Sequence, residues 1–171
     1  MGYIKSIVNS LLICLIFSAG LLGNSYAQES AFLQPSQEER QLMTDCVEQE
    51  NLILSQMVGC IGKVYSHCNS GVTSPNEKAL KRCVSKEQAL WRERLDTQLE
   101  QLILLQTKDL GLQVKEAQAA WLEAMLLNCR IRGQLNNFEK QGALAEALCI
   151  NKMTAIRSLV VQELLKNRSM K

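Results

Sequence analysis

Apolar residues recur along this chain at intervals of three and four, and period-two alternation is absent, so the sequence predicts helices throughout. Four helical segments can be read. The first places Leu42, Cys46, Ile53, Met57, Cys60 and Val64 on one face, with Gly59 and Gly62 as points where it breaks or kinks. The second carries Leu80, Val84, Trp91, Leu95 and Leu102. Gly111 suggests a turn, after which Val114, Ala117, Trp121 and Ala124 lead a third helix towards Cys129. Gly133, Asn136, Asn137 and Gly142 mark the next connection, and Leu148, Met153, Ile156, Leu159 and Val160 define a fourth helix.

Helix starts are signalled as well. Ser36 and Glu39 follow Pro35 at capping-box spacing, and Ser74-Pro75-Asn76-Glu77 repeats that spacing with proline at the first helical position. In each case a side-chain oxygen accepts from an otherwise unpaired amide, and the glutamate reaches back to the cap. The pattern therefore predicts an all-α bundle of about four helices, antiparallel where the loops are short.

The N-terminus has a different character. Lys5 is followed by an apolar run over residues 11–22, and Ser25-Tyr26-Ala27 places small residues around a cleavage site, as in an export signal. Asn9 and Ser10 interrupt the run, leaving it shorter than the roughly 20 residues a membrane-spanning helix needs. The expected organisation is a signal peptide over 1–27 and one helical domain over 28–171, periplasmic or secreted and not membrane-spanning after cleavage.

Of seven cysteines, Cys14 falls in the signal, leaving Cys46, Cys60, Cys68, Cys83, Cys129 and Cys149. An even number in an exported chain reads as a disulfide framework. There is no Cys-x-x-Cys, and His67 is the lone histidine, which argues against a zinc site and against a thioredoxin-like redox pair; no cofactor is implied. Sequence alone selects no pairing. Geometry favours Cys129–Cys149, which flank the Gly/Asn-rich connection, with Cys60–Cys68 around a short segment and Cys46–Cys83 tying the first helix to the second.

The formal charge of +2 falls by one when Lys5 leaves, and does not call for a nucleic-acid partner. Acid is concentrated near the start of the domain, where Glu38, Asp45 and Glu48 share a face away from the apolar stripe of the first helix. They form a candidate protein-binding face, although such a face is also what an ordinary solvated helix presents. Catalysis has no comparable support. Glu93, Asp96 and Glu100 alternate with Arg92 and Arg94 as a solvated surface would, and His67 has no evident orienting partner. The chain does not read as an enzyme.

The order of the landmarks carries more. Cys60-Ile61-Gly62 precedes Cys68; Cys83, Glu87, Trp91 and Leu95 follow at four-residue steps; then come Ala117-Gln118, Trp121 and Cys129, and finally Cys149, Thr154 and Arg157. This succession, over roughly residues 46–165, resembles the N-terminal domain family of LprI-type lysozyme inhibitors, small exported helical domains with cysteines. The resemblance implies a stoichiometric lysozyme inhibitor, with Glu87, Trp91, Gln118, Trp121, Thr154 and Arg157 as the family's structural residues. Two departures stand out: Met125-Leu126 occupies the place of an Arg-Asp pair usual in such domains, and Asp96 and Leu99 replace an Asn and a Tyr. The alternative reading is a non-catalytic envelope interaction domain without lysozyme affinity. Within the domain, Trp91 and Trp121 are expected in the core, and Glu87, inside an apolar stripe, is expected to pair with Arg157.

Overall fold

The computed structural model describes residues 34–49, 53–136 and 141–169. The expected signal over 1–27 lies outside them, as do Glu50, Asn137 and Lys171. The chain divides into two units, and the described helices belong to the unit Pro35–Lys171. Among the described residues all regular structure is helical: α1 (Gln37–Val47), α2 (Leu54–Met57), a 3-10 turn (Val58–Cys60), α3 (Lys63–Ser70), α4 (Glu77–Leu104), α5 (Lys108–Leu135) and α6 (Gly142–Ser169). None of these helices is long and apolar enough to cross a membrane.

The three 28-residue helices α4, α5 and α6 form the body. Side-chain bonds fix their directions. Asn151 meets Glu87 and Ser158 meets Gln98, separations of 64 and 60 residues, so α4 and α6 run parallel. Gln118 meets Arg157 while Cys129 meets Cys149, so α5 runs antiparallel to α6. The short helices cover the first half of α4. Met43, Val47, Met57, Val64, Leu90, Trp91, Ala155 and Leu159 form one core, and Leu95, Leu99, Leu102 and Val161 continue it, with Val114, Trp121 and Leu165 against them.

The capping signals are partly realised. Ser36 caps α1 with the full reciprocal box: its hydroxyl accepts from the Glu39 amide at 3.1 Å, and Glu39 Oε2 accepts from the Ser36 amide at 2.6 Å. At the second motif Asn76 is the cap, accepting from the Ala79 amide, and α4 begins at Glu77. The turn expected at Gly111 lies earlier, where Thr107 caps α5. Gly111 is instead buried within α5, where an added Cβ would stand 3.4 Å from Ile103. That is an ordinary packing distance, so the contact between α4 and α5 does not require glycine here.

Glu39 is nearly buried and also receives Lys86 Nζ, at 3.0 and 3.1 Å, tying α1 to α4. Burial raises its carboxyl, but the Ser36 amide and Lys86 outweigh that and hold it below its ordinary 4.5. A depressed folded value gives stability that is present above the unfolded value and lost as pH falls through the folded one. Glu39→Gln should therefore cost stability at neutral pH and flatten the loss of stability below about pH 4.5, read from urea melts across pH.

The first segment departs most from expectation. In place of one helix there are α1, α2 with its 3-10 turn, and α3, and two disulfides change with it. Cys46 joins Cys60 and Cys68 joins Cys83, not Cys46–Cys83 and Cys60–Cys68. On a continuous helix Cys46 and Cys60 would sit roughly 21 Å apart. The break brings their Cα atoms to 5.8 Å, within bridging range. Gly62 makes the next reversal possible: it precedes α3 with φ of 94°, a conformation costly for any residue with a Cβ. The third bridge joins Cys129 to Cys149 across the α5–α6 hairpin.

That hairpin also rests on Gly133, which belongs to α5 rather than to the connection. A Cβ there would meet Gly142 O at 2.9 Å and Glu146 Cβ at 3.0 Å, and the first of these is backbone. Gly133→Ala is expected to lose about 1–3 kcal/mol despite the better helix propensity of alanine, as measured by denaturant melts.

Candidate functional site

The residues singled out by motif fall into two clusters. The first surrounds Glu87, which is fully buried on α4. Its Oε1 accepts from the Gly62 amide at 2.8 Å, Asn151 Nδ2 at 2.9 Å and Trp91 Nε1 at 3.2 Å, while Oε2 accepts from the Tyr65 amide at 2.7 Å. One side chain thus gathers the first turn of α3, its own helix and α6. The two amides belong to the start of α3, whose first turn would otherwise lack partners. Trp91 is likewise fully buried.

Glu87 does not meet Arg157. On α6 the residue level with Glu87 is Asn151, and Arg157 lies six residues further along, roughly 9 Å. Arg157 faces α5, where its Nε donates to Gln118 Oε1 at 3.0 Å and its guanidinium lies 5.6 Å from the centre of the Trp121 ring. This is the second cluster. Burial lowers the Arg157 guanidinium below its ordinary value, and the ring and amide take the place of a carboxylate partner. Trp121 is partly buried, and Thr154 is buried on α6. Met125 is buried as well, and Leu126 is exposed. The motif residues are thus interior or interhelical groups with few atoms to offer a partner.

The candidate acidic face lies elsewhere. Glu38, Asp45 and Glu48 are exposed along α1 and its end. Each already has a neighbour: His67 Nε2 is 3.4 Å from Glu38, Gln41 donates to Asp45 at 2.7 Å, and Arg94 donates to Glu48 at 3.2 Å. The sequence offered His67 no partner because Glu38 is distant along the chain. The pair is exposed, and the hydroxyl near it, Ser70 Oγ, donates to the His67 carbonyl at 2.7 Å rather than to the ring. Beside the face an open groove of about 390 Å³ separates α1 from α4, lined by Arg40, Met43, Glu48, Glu93, Arg94 and Gln98. Arg40 and Glu93 pair at 2.7 Å along it. A smaller hollow of about 300 Å³ lies between α3 and the α5–α6 hairpin, with Tyr65, Arg132, Asn151 and Lys152 in its walls.

A family model described as lysozyme inhibitor LprI matches residues 68–159, more than half of the chain. The chain belongs to the LprI lysozyme inhibitor family. No curated protein and no solved structure matches it.

The LprI match begins at Cys68, at the end of α3, and finishes at Leu159 in α6. It contains the Cys68–Cys83 and Cys129–Cys149 bridges, the Arg157 cluster, and Glu87, Trp91 and Asn151 of the first cluster, whose Gly62 and Tyr65 amides precede it. It leaves out α1, the Cys46–Cys60 bridge and hence Glu38, Asp45 and Glu48. The match thus covers the disulfide-held body of α4, α5 and most of α6, and the acidic face lies outside the matched residues.

Several interior contacts had no signal in the pattern. Glu39–Lys86 and the buried Ser158 hydroxyl donating to Gln98 at 2.9 Å join residues far apart in sequence. Asn151, which the sequence reading passed over, stands as a polar residue within the apolar stretch of α6, and that contrast is the signal that could have found it.

Proposed function

We propose that this protein is an exported, non-catalytic module that inhibits lysozyme by stoichiometric contact. Membership of the LprI family carries the reading. Three bridged cysteine pairs suit the oxidising space outside the cytoplasm, periplasmic or secreted, in which a lysozyme would be met. Residues 1–27 would be removed as the signal, leaving 28–171 as the working domain. No cofactor enters the mechanism. Glu38, Asp45 and Glu48 would face a cationic enzyme, speeding encounter and setting its orientation.

The second reading is an interaction domain of the envelope without lysozyme affinity. It is favoured by the position of the acidic face outside the matched segment and by Met125-Leu126 in place of the usual Arg-Asp.

A titration of the oxidised protein against several lysozymes, following binding and cell-wall lysis together, separates the two. Inhibition predicts saturable binding at fixed stoichiometry with loss of lysis. Reversing Glu38, Asp45 and Glu48 to lysine should then slow association roughly tenfold or more at low salt, with a smaller effect at high salt. Absence of binding by folded, correctly bridged protein would favour the envelope domain.

A further inference from the structure

The body of three long helices leaves one broad face without a partner. α5 turns Gly111, Gln118, Met125, Cys129 and Gly133 towards its neighbours. Sequence periodicity expects Ala117 and Ala124 on the inner side with Val114 and Trp121, but both are exposed. The Cys129–Cys149 bridge and the close approach at Gly133 set the rotation of α5, and they carry these alanines outward. The opposite face is consequently a stripe of Ala117, Ala120, Ala124, Leu127 and Ile131, spaced by three and four residues. Leu127 is 55% exposed and Ile131 44%. Glu123 and Arg130 run along one edge, and neither enters an ion pair within the chain among the described residues.

We propose that this face pairs with the same face of a second copy, the two α5 helices running antiparallel about a two-fold axis. One register satisfies both shape and charge. With Ala124 set against Leu127 of the second copy, Ala120 falls against Ile131 of the second copy. Each large side chain then meets a small one, and the symmetry repeats both layers. The same register brings Glu123 beside Arg130 of the second copy, again twice, because the edges that meet in an antiparallel pair are the same edge of each helix. A parallel pairing would set alanine on alanine and leucine on leucine, and would bring Glu123 no cation. The arrangement is isologous and closed, so it stops at two copies. Stable specific interfaces bury upward of about 1,000 Å² in total, and a contact along one helix stripe is small beside that, so the dimer is a reversible one.

Sedimentation velocity of the oxidised protein over a concentration series tests the pairing without reference to lysozyme, so its outcome is independent of the proposed inhibition. The expected result is a monomer–dimer equilibrium that Leu127→Glu weakens at least tenfold. Because Leu127 is exposed, its replacement leaves the fold and the disulfides intact, which circular dichroism and peptide mapping verify. Glu123→Arg and Arg130→Glu should each weaken the dimer. Mixed in equal amounts, the two variants should form a one-to-one heterodimer, and the double exchange should restore the homodimer, since both cases recover two opposite-charge contacts. A protein monomeric at every concentration would overturn the proposal and leave the stripe to a different partner. So would undiminished dimerisation of Leu127→Glu, or single reversals that associate no better mixed than alone.

Discussion

Replacement of Glu87 by alanine is expected to lower stability by about 3–5 kcal/mol, among the largest effects of any single substitution in this chain. Four N–H donors converge on the two oxygens, and all four would be left in a dry interior with a cavity between them. Glu87→Gln tests the bonding apart from the volume. An amide of nearly the same size retains one accepting oxygen but turns an NH2 group towards either the Tyr65 amide or the three donors opposite. Its expected cost is smaller, about 1–3 kcal/mol. Urea melts at neutral pH measure both, and a glutamine variant as stable as the parent would show that the carboxylate does not hold α3 in place. The effect should be local first: amide exchange at Gly62 and Tyr65 should accelerate before the rest of the body opens.

The second large effect is loss of the Cys68–Cys83 bridge. Replacing both cysteines by serine opens a 15-residue separation, for which chain entropy gives about 3 kcal/mol at room temperature. This bridge and Glu87 hold the same junction, one fixing the end of α3 to α4 and the other fixing its start. The two should therefore not act independently. In a double-mutant cycle, Glu87→Gln combined with the serine pair should deviate from additivity by about 0.5–3 kcal/mol, whereas Glu87→Gln combined with serines at Cys129 and Cys149 should be additive within about 0.5 kcal/mol. Strict additivity in the first cycle would separate the bridge from the buried carboxylate.

These effects bear on how the site was legible. Glu87 was visible as a polar residue within an apolar stripe, because a charged side chain at a core position of a helix is conspicuous against a 3.6-residue period. Its partners were not. Two are backbone amides, which have no sequence signature, and they are presented by a helix that exists because Gly62 takes a positive φ. Arg157 was the natural candidate by charge, yet the parallel register of α4 and α6 places Asn151 at that level and turns Arg157 to Trp121. The acidic residues of α1 were legible as a cluster, and the structure added His67, Gln41 and Arg94 beside them.

The sequence by itself determined the helical class, both tryptophans as packing residues, the six cysteines as a framework and the reciprocal cap at Ser36 and Glu39. Each depends on spacing within a few turns or on composition, and short-range spacing is preserved in the folded state. Tertiary structure decided where the first segment breaks, how Cys46, Cys60, Cys68 and Cys83 pair, how α5 is rotated and which groups close around Glu87. Those outcomes depend on distances between residues far apart in the chain, set by the packing of whole helices against one another. Periodicity identifies the faces a helix has; the neighbours determine which of them is buried.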